Sequence, residues 1–315
     1  MAAIRLDNLR KTYHTDFWKP SFEAVKGISL NVEQGEAFGF VGPNGAGKTS
    51  TIKVLAGLQS ATSGGAYING ISCEDPQSRL QLGFLPERPY FYTHLTANEV
   101  LRLYGSLFGM SGRKLTMRID ALLDRVEMRQ FSNVPLGKYS KGMLQRVGLC
   151  QTLLHDPDVI LLDEPMSGLD PVGRAMVRDI ILEEQAAGRT VFFCSHVLSD
   201  VESICERVAI LVGGKIQTQG KIADLIESSE KNMICVFQIQ QGSIDDVKLS
   251  PDVETIAKGG LWQVVLSKTA FGTFIQDNSA KISIVDVRVQ RRSLEELFVD
   301  AVQEQRAHVE LGVLA

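Results

Sequence analysis

The sequence predicts an α/β protein. A mostly parallel sheet covered by helices is preceded by a small antiparallel β layer, interrupted by a helical subdomain, and followed by a small α+β domain. Three observations carry this. The apolar runs 37–41 and 159–162 are too short for helices and too continuous for half-exposed strands, as expected of strands buried on both faces. Helical stripes lie between the strand segments, the alternation that builds parallel sheets. At 227–231 (E-S-S-E-K) the composition turns polar, and beyond it apolar and polar residues alternate again.

Taken in order, Ile4, Leu6 and Leu9 alternate loosely with polar residues, so the chain opens with a strand ending at Tyr13. The loop 14–22 carries Phe17, Trp18 and Phe22, read as a plug into the core in preference to a partner contact, because exposed aromatic clusters are uncommon. Ile28, Leu30 and Val32 alternate in a second half-buried strand, and Gly35 turns the chain into the buried run 37–41. A helix starts near Lys48; residues 62–65 form a turn, 66–69 a short strand and 83–87 another, broken by Pro86. Thr96 and Glu99 form a capping box ahead of a helix striped by Val100, Leu101, Leu103, Tyr104, Leu107 and Phe108. Ile119, Leu122, Leu123 and Val126 stripe a second helix, so residues 90–155 are a helical insertion.

Ser140 caps a further helix that stops before Asp156-Pro157, since a residue preceding proline avoids the helical region. Residues 159–162 then deliver Asp163 and Glu164 at the carboxyl end of a strand. Asp170-Pro171 opens the next helix, Gly188 closes it, and strand 190–195 leads to His196. Residues 208–218 around Gly213-Gly214 are a hairpin. Past the polar boundary come a strand through Met233, Cys235, Phe237 and Ile239, a hairpin joining 253–257 to 261–266, a strand over 282–289, and a helix striped by Leu294, Leu297, Phe298 and Ala301. The domains are therefore 1–227 and 228–315.

Composition bounds the partners. Hydrophobic residues make up 44% and charged residues 22% of the 315, the balance of a globular protein. A formal net charge of −4 argues against a nucleic-acid partner. No window of about 18 apolar residues occurs and the N-terminus has no signal-like core, so the chain is expected neither to span a membrane nor to be exported. Cys73, Cys150, Cys194, Cys205 and Cys235 are scattered without a C-x-x-C pair and are read as reduced core residues.

Chemistry concentrates in 42–50, G-P-N-G-A-G-K-T-S. Gly42, Gly47, Lys48 and Thr49 fill G-x-x-x-x-G-K-[ST], so the loop through Gly42, Pro43, Asn44, Gly45 and Ala46 can turn successive backbone N–H groups, proline having none, inward to cradle a pyrophosphate. Lys48 adds a charge for the outer phosphates, Thr49 an oxygen for Mg²⁺, and the helix beginning there aims its positive dipole end at the nucleotide, with Ser50 beside it. Asp163 at the end of a buried strand can hold Mg²⁺ through its water shell, and Glu164 can polarise an attacking water. His196, also at a strand end, is placed to contact the terminal phosphate.

Together these residues resemble the ATP-binding subunit of an ABC transporter over about residues 4–225. Residues 42–50 match its Walker A, 159–164 its Walker B with the catalytic glutamate, Ser167 to Asp170 its D-loop, and His196 its switch histidine; Tyr139-Ser140-Lys141-Gly142-Met143 stands at its signature. The resemblance implies ATP and Mg²⁺, with Tyr13 stacked on adenine. It also implies a head-to-tail dimer, with itself or a paralogous ATPase subunit, in which Ser140 and Gly142 of one copy close over the ATP at Lys48 of the other. Integral membrane permease subunits are the further partners, which would make the chain cytoplasmic and peripheral on the inner face of the cell membrane. Lys141 and Met143 depart from the usual glycine and glutamine, and Glu87 replaces the Q-loop glutamine, keeping an oxygen ligand for the metal. Glu87 and the C-terminal domain resemble stand-alone ATPase subunits of bacterial exporters. The alternative is a soluble ABC-type ATPase acting on a ribosome or nucleic-acid complex; such proteins usually pair two cassettes or carry a long coiled coil, and this chain has neither.

Overall fold

Alternation along the first strands sets the first layer. β1 (Ala2–Tyr13) pairs antiparallel with β2 (Phe22–Glu33), placing Leu6 opposite Leu30 and Ile4 opposite Val32 in one buried face. The computed structural model describes residues 2–14, 21–227, 232–249, 253, 255–289 and 293–313; Phe17 and Trp18 of the expected plug lie outside them. Next follow β3 (Ala37–Val41), buried at all five positions, α1 (Lys48–Leu55), β4 (Ser63–Ile68) and β5 (Ile71–Ser72). The layer runs β2-β1-β4-β5. Residues 63–65, expected as a turn, instead begin β4. Asp7 pairs with Gly65 and Arg10 with Ser63 across a bulge, which Gly64 fills at φ 79°, where a side chain would collide with the Asn8 carbonyl.

The second sheet continues with β6 (Leu82–Leu85) and then leaves for three helices, α2 (Ala97–Leu107), α3 (Gly112–Arg125) and α4 (Lys141–Leu153). Thr96 and Glu99 form the expected capping box on α2, worth about 1 kcal/mol. After α4 come β7 (Val159–Asp163), α5 (Pro171–Ala186), β8 (Thr190–Ser195), α6 (Leu198–Ile204), β9 (Arg207–Val212) and β10 (Lys215–Lys221). The strand order is β10-β9-β3-β8-β7-β6, parallel except for β10. Phe38 stacks on Phe192 and Phe40 tilts against the same ring, locking β3 to β8 inside the core. Glu184 on α5 is buried and bonded to both Arg125 of α3 and Arg189, which ties the helical segment to the sheet. A buried charge held this way is kept by its partners, since a lone carboxylate there would be costly.

Residues 223–297 form a second compact unit, and the rest of the chain the first. α7 (Ile222–Glu227) leads into β11 (Asn232–Ile239), β12 (Thr255–Lys258), β13 (Leu261–Ser267), α8 (Lys268–Asn278), β14 (Ile282–Val289) and α9 (Leu294–Val313). The sheet is antiparallel in the order β12-β13-β11-β14, and Cys235, Phe237, Val264, Leu266 and Phe274 form its core. The α8 helix was not evident from pattern, because Gly272 sits in its middle and Ser267 serves both strand end and N-cap, accepting from the Ala270 N–H at 3.2 Å. Among the described residues no helix is long and apolar enough to cross a membrane.

Candidate active site

The sheet order decides what meets at its carboxyl edge. β3, β8, β7 and β6 are consecutive neighbours, and they end in the glycine loop, in His196, in Asp163-Glu164 and in Pro86-Glu87. The register aligns Val41 with Ser195, Asp163 with Cys194 and Leu85 with Leu162, so four segments far apart in sequence finish side by side. One cleft is lined by residues from all four, including Lys48, Thr49, Glu87, Glu164 and His196.

The loop is wedged between two neighbours. A Cβ on Gly42 would lie 2.4 Å from the Leu211 carbonyl oxygen, and one on Gly47, at φ 108°, would lie 2.4 Å from that of Ala24. Only glycine fits either place. Gly45, at φ 80°, faces open space, Ala46 is buried, and Pro43 and Asn44 line the cleft. Lys48 is 6% exposed and its Nζ donates to the Gly42 carbonyl at 2.6 Å. Its own loop therefore holds the ammonium where an anion would sit against it. The Tyr13 hydroxyl donates to Gln59 Oε1 at 2.7 Å and lies 3.1 Å from Ser50 Oγ, which pins the ring at the cleft mouth.

Asp163 is 2% exposed; its side chain bonds the Thr49 hydroxyl, while Oδ1 has no hydrogen-bond partner. Burial, then the adjacent Glu164 carboxylate, pushes the Asp163 carboxyl up to about 6. Glu164 adopts φ 52°, the left-handed region, held by its N–H on the Cys194 carbonyl at 3.0 Å and its carbonyl on the Ser167 N–H at 3.0 Å. Strain of that kind persists only where the surroundings enforce it, and here it turns the carboxylate into the cleft. Glu164 Oε1 lies 3.9 Å from Lys48 Nζ and 2.9 Å from His196 Nδ1. His196, expected at a terminal phosphate, is thus seated first on the carboxylate of Glu164.

Ser140 and Gly142 line a different cleft, together with Gly168, Leu169 and Asp170. Ser140 caps α4 through a 3.2 Å bond from the Met143 N–H, as expected. Lys141 Nζ donates to Ser167 Oγ at 2.9 Å, and Ser167 also lines the cleft of Lys48. Phe22, expected to plug the core, is 58% exposed and lines the same cleft as Tyr13. It pairs opposite Tyr13 in the β1–β2 register, a placement that no local pattern in the sequence shows.

The family model described as ABC transporter matches residues 25–167. An ABC transporter ATP-binding protein of Nostoc sp. is 39% identical over 96% of this chain and 91% of its own length. The Nod factor export ATP-binding protein I of Cupriavidus pinatubonensis is 32% identical over 72% of this chain and 69% of its own. The dimeric, post-hydrolysis structure of an ATP-binding cassette bound to ADP and Pi is similar with a TM-score of 0.64 and 26% identity, covering 69% of this chain and 98% of that one.

Proposed function

The chain belongs to the ABC transporter ATP-binding proteins and is an ATPase of that family; from that premise we propose that it powers export through separately encoded integral membrane permease subunits. It works as a head-to-tail dimer, with itself or a paralogous ATPase subunit. The observation that carries this is the division of the phosphate-binding groups between two separate clefts of one chain, Lys48 in one and Ser140 with Gly142 in the other. A helix N-terminus with a serine hydroxyl and an unobstructed glycine N–H is a ready anion site, and the ATP held by another copy would supply the anion. The dimeric cassette similar in fold supports the arrangement. The named export function of a relative and Glu87 in place of the Q-loop glutamine support the direction of transport. The ATP-binding domain is residues 1–227, with 90–155 as its helical subdomain, and 228–315 is an accessory domain. The protein sits in the cytoplasm against the inner face of the membrane.

Within the site, the loop 42–50 takes the phosphates of ATP and Lys48 shifts from its own loop carbonyl to the outer phosphates. Glu164 accepts a proton from the attacking water as general base, and His196 steadies its carboxylate. Tyr13 packs against the base. Thr49, Glu87 and Asp163 offer an all-oxygen donor set, and the unpartnered Asp163 Oδ1 fits a water-bridged hard cation. Mg²⁺ held there would neutralise charge developing on the transferred phosphoryl group.

Light scattering tests the dimer. The Glu164→Gln chain should double in mass on adding Mg-ATP and stay single with ADP; a constant mass both alone and with solubilised membrane partners refutes the head-to-tail assignment. Recovery of the tagged native chain with ribosomes or nucleic acid in place of membrane proteins would favour the soluble alternative.

A further inference from the structure

Among the described residues the accessory sheet is open at two edges, β12 with four residues and β14 with eight. An edge strand carries a row of backbone N–H and C=O groups that its own sheet leaves free, and folds blunt such edges with lysine or proline. β14 has neither. Ile284, Val285, Asp286, Val287 and Arg288 are exposed in succession, Val285 at 55%. Val285 is a bulge, since Val236 pairs with Asp286 and Phe237 with Ile284, and beyond it the pairing with β11 is regular to Val289. In that regular stretch Asp286 and Arg288 share one face, Arg288 Nε lying 4.0 Å from Asp286 Oδ2. Their order is self-complementary. In an antiparallel pair of identical strands centred on Val287, Asp286 of each faces Arg288 of the other, whereas centring on Asp286 or on Arg288 sets like charges face to face. We propose that β14 is a second interface between copies of this chain, two β14 strands pairing antiparallel about Val287 to join two accessory sheets into one. A contact of this length falls well short of a stable interface of roughly 1,200–2,000 Å², so it is weak between free chains. Between chains already held together at their nucleotide clefts it closes within one assembly, where effective concentration makes it count.

The strength of this pairing rests on the head-to-tail dimer proposed above, and the test separates the two. In the full-length Glu164→Gln chain, Val287→Cys places a thiol on the pairing axis, where cross-strand Cβ atoms lie about 4.5–5.5 Å apart. Cys235→Ala removes the native thiol opposite position 287 in β11, and the remaining native cysteines are buried. Oxidised glutathione with Mg-ATP should link two such chains at least about tenfold faster than chains carrying Ile256→Cys instead, a more exposed position on the far edge of the sheet. Adding Arg288→Asp should slow the linkage about tenfold, because two attractions become two repulsions, and Asp286→Arg on top of it should restore the rate. Linkage no faster at 287 than at 256, or a slowed rate that the double exchange leaves slow, overturns the strand pair. Light scattering of the same chains reads the nucleotide dimer. Doubled mass in Mg-ATP without linkage at 287 keeps the head-to-tail dimer and overturns the pairing; linkage at 287 that follows the charges without doubled mass supports the pairing and refutes the head-to-tail reading.

Discussion

Asparagine at position 163 should change how stability depends on pH, and the size of the change follows from where the carboxylate sits. Asp163 ends β7 at 2% exposure with Oδ1 unpartnered. Burial first and Glu164 second raise its carboxyl from 3.8 to about 6, against the Thr49 hydrogen bond. A group raised on folding stabilises the fold fully below its unfolded value, and that contribution disappears as pH rises through its folded value. The interval of about two pH units corresponds to ~3 kcal/mol, lost from the native chain between pH ~4 and ~6. Asparagine is nearly isosteric and does not ionise. The amide's own hydrogen bonding adds an offset of about 1–3 kcal/mol, but that offset does not vary with pH. The gap in unfolding free energy, variant minus parent, should therefore widen in favour of Asp163→Asn by ~2 kcal/mol between about pH 4.5 and 8 and be flat above about pH 7. Urea unfolding in EDTA without nucleotide measures it. A gap that moves by less than about 0.5 kcal/mol, or narrows with pH, refutes the reasoning.

Other consequences are checked more simply. Glu164→Gln should keep ATP binding and lose steady-state phosphate release by at least ~10²-fold, the usual contribution of a general base; undiminished turnover removes Glu164 from the mechanism. Gly47→Ala forces a Cβ to 2.4 Å from the Ala24 carbonyl at φ 108°, so it should cost about 1–3 kcal/mol of stability and most of the ATP affinity, read by thermal shift and nucleotide titration. All five cysteines are free and buried, and burial pushes the Cys73 thiol up to about 12 and those of Cys150, Cys194 and Cys205 further. Iodoacetamide at about pH 8 should leave the native chain nearly unmodified and label all five once it is unfolded; fast labelling of any one in the native state contradicts its burial.

The residues themselves were enough to name the loop 42–50, the Asp163-Glu164 pair and the Ser140 cap, because each is a local signal: a spacing, a strand end, a residue before a helix. Burial on both faces left its mark as the unbroken runs 37–41 and 159–162, and both are fully buried strands. The turn expected at 62–65 failed because a paired bulge and a turn use the same glycines, and only the partner strand β1 tells them apart. The α8 helix escaped for a similar reason, its glycine being tolerated by packing on the sheet that no local window shows. What tertiary structure alone decided is adjacency. The order β3-β8-β7-β6 brings Lys48, His196, Glu164 and Glu87 to one edge, seats His196 on Glu164, opens Phe22 to the cleft, and leaves Ser140 and Gly142 facing another. Strand order depends on which buried faces fit together across more than a hundred residues of chain, and a sequence states that fit only through the folded core.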